Sequence, residues 1–231
     1  DISKAQTLPS RYYTDEGTFL GIIGDFSKFW HFAAHEGQFL DNNVIPLEHM
    51  EELVGEAILL TKNEEILALS NVCTHRGMLV STEPCNISTL KCRYHGRTFG
   101  LDGEFKNMPE FKNVKDFPTA RDNLLKFPLR IWKGIIFTGV NPTYFESVFD
   151  TLEKRLGWMP IDSFQYDLSR FRSYEINANW ALYVDNYLEG FHIPFVHGDL
   201  NQELDYDSYR TELFEGGVLQ VGVAKNEEEC F

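Results

Sequence analysis

Hydrophobic and polar residues alternate over short segments through the first half of the chain, and glycine-containing pairs separate these segments. Alternation with a period of two residues is typical of strands that bury one face. Two of the separating pairs, Asp102-Gly103 and Lys133-Gly134, are typical of hairpin turns. The pattern predicts strands at residues 57–61, 66–71, 97–101, 127–132 and 135–140. We therefore expect a small antiparallel β domain over residues 29–141.

The periodicity becomes helical on either side of this domain. Residues 14–28 predict a helix with Thr14 as its cap, although three glycines weaken the pattern. After a break at Asn141-Pro142, apolar residues repeat at helical spacing, namely Phe145, Val148, Phe149, Leu152 and Leu156.

Further along, the pattern predicts a strand at 170–178, a helix at 179–192 and a hairpin turning at Gly216-Gly217. The chain is therefore predicted to be an α+β protein in three parts. They are an N-terminal helical segment (1–28) that packs on the last part, the β domain (29–141), and a second domain of helix on antiparallel sheet (142–231).

Two cysteine–histidine pairs lie within the predicted β domain. Cys73-Thr74-His75 and Cys92-Arg93-Tyr94-His95 are separated by sixteen residues, and a glycine follows each histidine within two residues. Two thiolates on one iron and two imidazoles on the other are the ligands of a Rieske 2Fe-2S cluster. A Cys2His2 zinc ribbon uses the same residue types, but zinc sites usually place two to four residues between the members of a pair and do not need a glycine after both histidines. The spacing favours the cluster, held by Cys73, His75, Cys92 and His95.

The residues beside the ligands indicate the type of cluster. Respiratory Rieske proteins have a bridged cysteine pair where this chain has Met78 and Tyr94. They also have serine and tyrosine hydroxyl donors where it has Arg97 and Phe99. Fewer hydrogen bonds to the sulfurs stabilise the reduced cluster less. We therefore expect a potential near the low end of the Rieske range, roughly −150 mV.

A second set of metal-binding residue types follows the predicted strand at 170–178. On a helix, Glu189 and His192 would project from nearly the same face, and Pro194 would end that helix so that His197 returns from the next turn. Two histidines and a carboxylate form the facial triad of non-haem Fe(II) oxygenases. Alone, two histidines five residues apart beside a proline are more often hydrogen-bonded loop residues than metal ligands. The cluster motif upstream makes a metal site the favoured interpretation.

From about Trp30 to about His197 the chain resembles the Rieske non-haem iron oxygenases, in particular the α subunits of ring-hydroxylating oxygenases. The resemblance implies that the first four ligands bind the cluster and that His192 and His197 bind mononuclear Fe(II). It implies that Glu189 bridges an iron histidine to a cluster histidine of a neighbouring subunit. It also implies a homotrimer, with or without a β subunit, and electrons that come from NAD(P)H through a separate flavin or iron–sulfur reductase or a ferredoxin.

Two departures from the family pattern stand out. The bridging acid is Glu189 where most relatives have Asp, which resembles the branch that oxidises quaternary ammonium compounds. The family's third iron ligand is an Asp far downstream, and no Asp follows Asp207 here. Either the catalytic domain continues beyond this chain, or Glu189 or an acid such as Asp199 completes the triad. We expect the former, a catalytic domain that is incomplete here.

The net charge and the cysteine content limit the possible binding partners and the cellular compartment. The 231 residues carry a formal net charge of −14, which argues against nucleic acid and anionic membrane surfaces as partners. No apolar run approaches the about 18 residues that a membrane span needs, and no leader is visible. Cys85 and Cys230 are expected to be free thiols of a reducing compartment. We expect a cytoplasmic protein without a membrane anchor.

Three function classes fit these features. The first, which we expect, is a terminal oxygenase that hydroxylates or oxidatively demethylates a small aromatic or quaternary ammonium substrate with O2. The second is a Rieske electron carrier, which would not need His192 and His197, and the third is a zinc-stabilised binding module. His31 and His35 lie in a segment that alternates like a strand, so we expect structural roles for them, and a surface position for His49.

Overall fold

The computed structural model describes residues 8–143 and 147–225. These divide into two compact units, one comprising residues 8–21, 147–152 and 172–225, and the other comprising 22–143 and 153–171. Phe145, Cys230 and the acidic run at 227–229 lie outside the described residues.

The larger unit contains ten strands arranged in three antiparallel sheets. Their bounds are β1 His31–His35, β2 Val44–Leu47, β3 Ile58–Lys62, β4 Ile66–Ser70, β5 Leu90–Lys91, β6 Thr98–Phe99, β7 Phe105–Asn107, β8 Lys126–Phe127, β9 Leu129–Trp132 and β10 Ile135–Thr138. The sheets have the orders β1-β10-β9, β2-β3-β4-β8 and β5-β6-β7. The prediction of an antiparallel β domain made of short strands is confirmed.

Seven helices and a hairpin complete the described structure. The helices are α1 Arg11–Thr14, α2 Glu16–Phe26, α3 Glu48–Val54, α4 Ser147–Leu156, α5 Trp180–Tyr187, α6 Ile193–Val196 and α7 Gly198–Glu203. Strands β11 Arg210–Phe214 and β12 Gly217–Val221 form the hairpin. Short 3-10 turns lie at 36–39, 120–122, 161–163, 168–170 and 206–208. The α+β class is confirmed. No helix within the described ranges has the length and apolar character needed to cross a bilayer.

Pro128 divides the strand predicted at 127–132 into two. Because proline has no N–H, it interrupts the ladder. On one side β8 pairs with β4, and on the other β9 pairs with β10. One proline thus moves the chain from the four-stranded sheet into the sheet of β1.

Two other predictions for elements need correction. The helix predicted at 14–28 is present as α2, Glu16–Phe26, but Thr14 is not its cap. The Asp15 carboxylate accepts hydrogen bonds from the N–H and Oγ1 of Thr18, whereas Thr14 Oγ1 donates back to the Ser10 carbonyl. The strand predicted at 170–178 is absent: Arg170 ends a 3-10 turn, and residues 171–178 have no regular secondary structure. Among the described residues no strand pairs with them, and a lone strand leaves its backbone groups unpaired.

Two clusters of buried side chains stabilise the larger unit. One gathers β1, β2, β3 and β10, with Met50, Leu60 and Ile136 fully buried. The other contains Leu90, Phe99 and both motif cysteines. The second cluster therefore anchors the cysteine–histidine loops in the protein interior.

Candidate metal centres

The two cysteine–histidine loops have the same backbone hydrogen bonds. In the first, Cys73 N–H donates to Met78 O at 2.9 Å and Gly77 N–H to Cys73 O at 3.0 Å. In the second, Cys92 N–H donates to Arg97 O at 2.8 Å and Gly96 N–H to Cys92 O at 3.0 Å. Each loop thus closes on itself over the same number of residues, although its histidine occupies a different place.

A glycine closes each loop in the left-handed region. Gly77 has φ 73° and Gly96 has φ 74°, a conformation that a residue with a Cβ rarely adopts. A Cβ on Gly96 would also lie 3.2 Å from Pro109 Cγ, while one on Gly77 would meet nothing within 4 Å. The glycines that follow the histidines are therefore requirements of the turn.

The loops place thiols inside and imidazoles outside. Cys73 and Cys92 are each 2% exposed, and both belong to the same cluster of buried side chains. His75 is half-buried, His95 is exposed, and their ring centroids are 4.8 Å apart. A buried thiol pair and an outward imidazole pair are the donor set of a Rieske cluster. The residues present fit that group.

The local electrostatics differ between the two kinds of ligand. Burial raises the pKa of the Cys73 thiol, and the neighbouring Cys92 adds to this, whereas the His75 N–H and the Arg97 charge act in the opposite direction. Burial lowers the pKa of His75, and the nearby His95, Arg76 and Arg97 lower it further. A neutral imidazole is the form that binds a metal.

The second candidate centre is built differently from the sequence prediction. The predicted helix at 179–192 ends at Tyr187, so Glu189 and His192 do not share a helix face. Pro194 lies in the first turn of α6, where its missing N–H is tolerated, and thus begins a helix instead of ending one. His192 and His197 flank α6, and their ring centroids are 5.1 Å apart.

A turn brings Glu189 to His192. His192 Nδ1 lies 2.5 Å from Glu189 Oε1, and the other carboxylate oxygen accepts the N–H of Phe191. Burial acts to raise the pKa of Glu189, but these hydrogen bonds hold it below its ordinary value. Because an ionised carboxylate only accepts, Nδ1 is the protonated ring nitrogen and Nε2 is left to bind a metal.

A cavity of about 470 Å³ opens at this pair. Its lining includes Glu189, His192 and His197 together with Tyr183, Tyr187 and Tyr209. A pocket with aromatic walls and a few convergent polar groups is typical of a small-molecule site.

The third iron ligand is not present among the described residues. No three His, Cys, Asp or Glu side chains in residues 8–143 and 147–225 are placed to hold one ion. Neither Glu189 nor Asp199 therefore completes a triad with the two histidines. The cluster site needs no such group of three, because each iron of a Rieske cluster takes only two protein ligands.

Two protein-family models match the segments of the chain that contain the candidate centres. Residues 29–118 match the Rieske [2Fe-2S] domain family, and residues 164–225 match the catalytic domain of the ring-hydroxylating α subunit. The chain belongs to the Rieske oxygenase α subunits. That family implies a Rieske cluster and Fe(II) as cofactors.

Its relatives include enzymes that act on quaternary ammonium compounds. The carnitine monooxygenase oxygenase subunit of Escherichia coli K12 is 31% identical over 99% of this chain and 62% of the relative. The chloroplastic choline monooxygenase of Amaranthus tricolor is 27% identical over 97% of this chain and 52% of the relative. The chain thus spans 62% of the length of the first relative and 52% of the length of the second.

Solved structures show the same fold. A quaternary ammonium Rieske monooxygenase, described for carnitine oxidation and inter-subunit electron transfer, superposes with a TM-score of 0.80 and 25% identity, over 95% of this chain and 61% of that chain. Naphthalene 1,2-dioxygenase from Rhodococcus, at 24% identity and a TM-score of 0.69, shares the fold over 87% of this chain and 48% of that chain.

The sequence analysis missed residues that face the candidate sites. Tyr209 lies against Gly190, where an added Cβ would clash with the tyrosine ring, and its hydroxyl donates to Gln220 Oε1. No sequence spacing links the β11–β12 region to Glu189. Arg97 was noted only as the replacement of a serine, although it is buried beside the cluster loops.

The histidines outside the two centres have structural contacts. His31 Nε2 lies 2.7 Å from Phe26 O, and His35 Nδ1 accepts the Gly37 N–H at 3.0 Å. His49 is exposed, as expected, and its Nε2 lies 3.0 Å from Phe32 O.

Proposed function

We propose that this chain is part of the terminal oxygenase component of a Rieske monooxygenase system. It takes electrons from a reductase, passes them to a mononuclear Fe(II), and uses O2 to hydroxylate or oxidatively demethylate a small substrate. The observation that carries this proposal is the presence in one chain of both centres, the matched cysteine–histidine loops and the histidine pair oriented by Glu189.

Each ligand set has a distinct task. When bound, the cluster would supply one-electron transfer and the Fe(II) would supply O2 activation. Cys73 and Cys92 would hold the inner iron away from water, while His75 and His95 would hold the outer iron near the surface, where electrons enter and leave. His192 and His197 would hold the Fe(II) through imidazole nitrogen.

Glu189 has the role of orienting a ligand and connecting centres. Its contact with His192 fixes the tautomer of that ring, and losing such a partner usually reduces metal affinity or activity about 10–100-fold. This contact is the half of the family's inter-subunit bridge that one chain supplies. We propose that a cluster histidine of a neighbouring subunit makes the other half, in a homotrimer.

The substrate class we favour is a quaternary ammonium compound. Tyr183, Tyr187 and Tyr209 line the cavity beside the histidine pair, and aromatic faces attract such cations. The curated relatives are carnitine and choline monooxygenases. The net charge of −14 also favours a cationic substrate or a basic redox partner.

We further propose a reducing location, the cytoplasm. Cys73, Cys85 and Cys92 are free thiols, and the cluster needs two of them reduced. The electron source is a flavin or iron–sulfur reductase that uses NAD(P)H.

Metal and sulfide analysis of the purified protein tests this function. A cluster contributes equal iron and acid-labile sulfide, so iron in excess of sulfide supports the oxygenase. Equal amounts would instead indicate an electron carrier, and zinc without sulfide a binding module. In Cys92→Ser the visible absorption of the cluster should disappear, and a retained Rieske spectrum would contradict the assignment.

A further inference from the structure

Arg97 is a buried charge beside the cluster loops. Arg97 is 2% exposed. Its guanidinium carbon lies 4.9 Å from the centre of the Phe105 ring and 5.5 Å from the centre of the Phe117 ring. Arginine is almost never fully buried unless it is paired. Its partner is Asp122, whose Oδ1 accepts from Arg97 Nη2. Arg97 Nε has no hydrogen-bond partner among the described residues.

Asp122 joins the Arg97 loop to the other loop. Its Oδ2 accepts the Thr119 N–H at 2.7 Å, which holds the carboxylate in place. Its main-chain carbonyl accepts the Thr74 hydroxyl at 2.9 Å. Thr74 lies between the two ligands of the first loop, and Arg97 directly follows the glycine that closes the second. The segment that holds Asp122 therefore fastens both loops.

The charge of Arg97 also lies close to the ligands. Arg97 is two residues after His95, and its main-chain carbonyl accepts the Cys92 N–H at 2.8 Å. The reduced cluster is the more negative state, so a positive charge at this place favours it. Asp122 carries the opposite charge and partly offsets it.

We propose that Arg97 and Asp122 are positioning residues of the cluster site, which fix the two ligand loops relative to each other and set the reduction potential with opposite signs. The proposal rests on the proposed cluster. Reduction adds one electron from the reductase and makes the cluster one charge more negative. Removing the Arg97 charge therefore disfavours the reduced state, and removing the Asp122 charge favours it.

The test measures the midpoint potential of the cluster in the purified holoprotein by redox titration followed by circular dichroism. We expect Arg97→Gln to disfavour reduction by about tenfold, which is 59 mV for one electron, and Asp122→Asn to favour it by about the same factor. The double variant should return close to the parent protein. Arg97→Lys should keep the potential but lose the cluster faster, because lysine cannot reproduce the fork of donors.

Arg93→Gln is the matched control. Arg93 lies in the same loop, but its ion pair with Glu83 is 3.8 Å long and exposed, so the potential should not change. If Arg97→Gln does not fold, Asp122→Asn still decides the matter through its expected positive shift. Shifts of equal sign, or no shift in variants that retain the cluster, would overturn this proposal alone. A parent protein without any cluster would overturn the proposed function instead.

Discussion

Alanine at the two loop-closing glycines tests how far the cluster loops depend on their left-handed turns. Gly77 and Gly96 have φ near 73° and 74°. A Cβ in this region costs about 1–2 kcal/mol. Replacing glycine also restricts the unfolded chain, which stabilises the fold by about 0.4–1 kcal/mol. Gly77→Ala should therefore lower the free energy of unfolding by about 1 kcal/mol net.

Gly96→Ala should be more destabilising than Gly77→Ala. The backbone penalty is the same, but the new Cβ would also lie 3.2 Å from Pro109 Cγ, whereas at Gly77 it meets nothing within 4 Å. The neighbouring ring would have to move. The order of the two variants therefore separates backbone strain from steric contact.

Denaturant unfolding of the parent and variants, with cluster content measured in parallel, provides the assay. Gly21→Ala is the control: Gly21 lies in α2 with open space around it, so alanine should stabilise by up to about 1 kcal/mol. Gly77→Asn should lose less than Gly77→Ala, since asparagine tolerates this conformation. Loop variants as stable as the parent, beside a stabilised Gly21→Ala, would refute the reasoning.

Three further predictions concern the histidine pair, Glu189 and the start of helix α2. His192→Ala or His197→Ala should remove mononuclear iron and turnover while the cluster spectrum survives, as metal analysis and absorption spectra would show; unchanged activity would refute the iron site. Glu189→Asp shortens the side chain that contacts His192 at 2.5 Å, so single-turnover product formation from a pre-reduced cluster should slow about 10–100-fold. Full activity would mean that the longer acid is incidental. Asp15→Ala should lower the Tm at neutral pH, because the N–H and Oγ1 of Thr18 hold the pKa of Asp15 below its ordinary value. That contribution is present above the ordinary pKa and lost as pH falls through the lowered one, so a Tm difference that persists in acid would contradict the cap.

Features encoded by neighbouring residues were predicted well. Lys133 and Gly134 both have positive φ, 48° and 82°, and join Trp132 to its partner Ile135 in a two-residue hairpin. The hairpin near Gly216 also forms, turning one residue earlier than predicted, with Phe214 opposite Gly217. Such turns depend on local backbone preferences that the sequence states directly.

Features that depend on distant partners were predicted poorly. Residues 171–178 alternate as a strand would, but alternation alone does not supply the neighbouring strand whose backbone must pair with it. The helix predicted at 179–192 failed for a more local reason. It ends at Tyr187, and the turn that follows brings Glu189 to His192 by a different route from the helix face that the spacing suggested. The same two residues meet, so a prediction of contact succeeded where the prediction of its cause did not.

Arg97 shows how a residue identity can mislead when its burial is unknown. In the sequence it marks the absence of a serine hydroxyl, and this absence alone predicts a low potential. In the fold the same residue is 2% exposed, is paired with Asp122 and lies close enough to Cys73 to lower the pKa of that thiol. A lost hydrogen bond destabilises the reduced cluster, whereas a buried positive charge stabilises it. The potential therefore depends on how fully Asp122 neutralises Arg97, and the opposite shifts expected for Arg97→Gln and Asp122→Asn measure that balance directly.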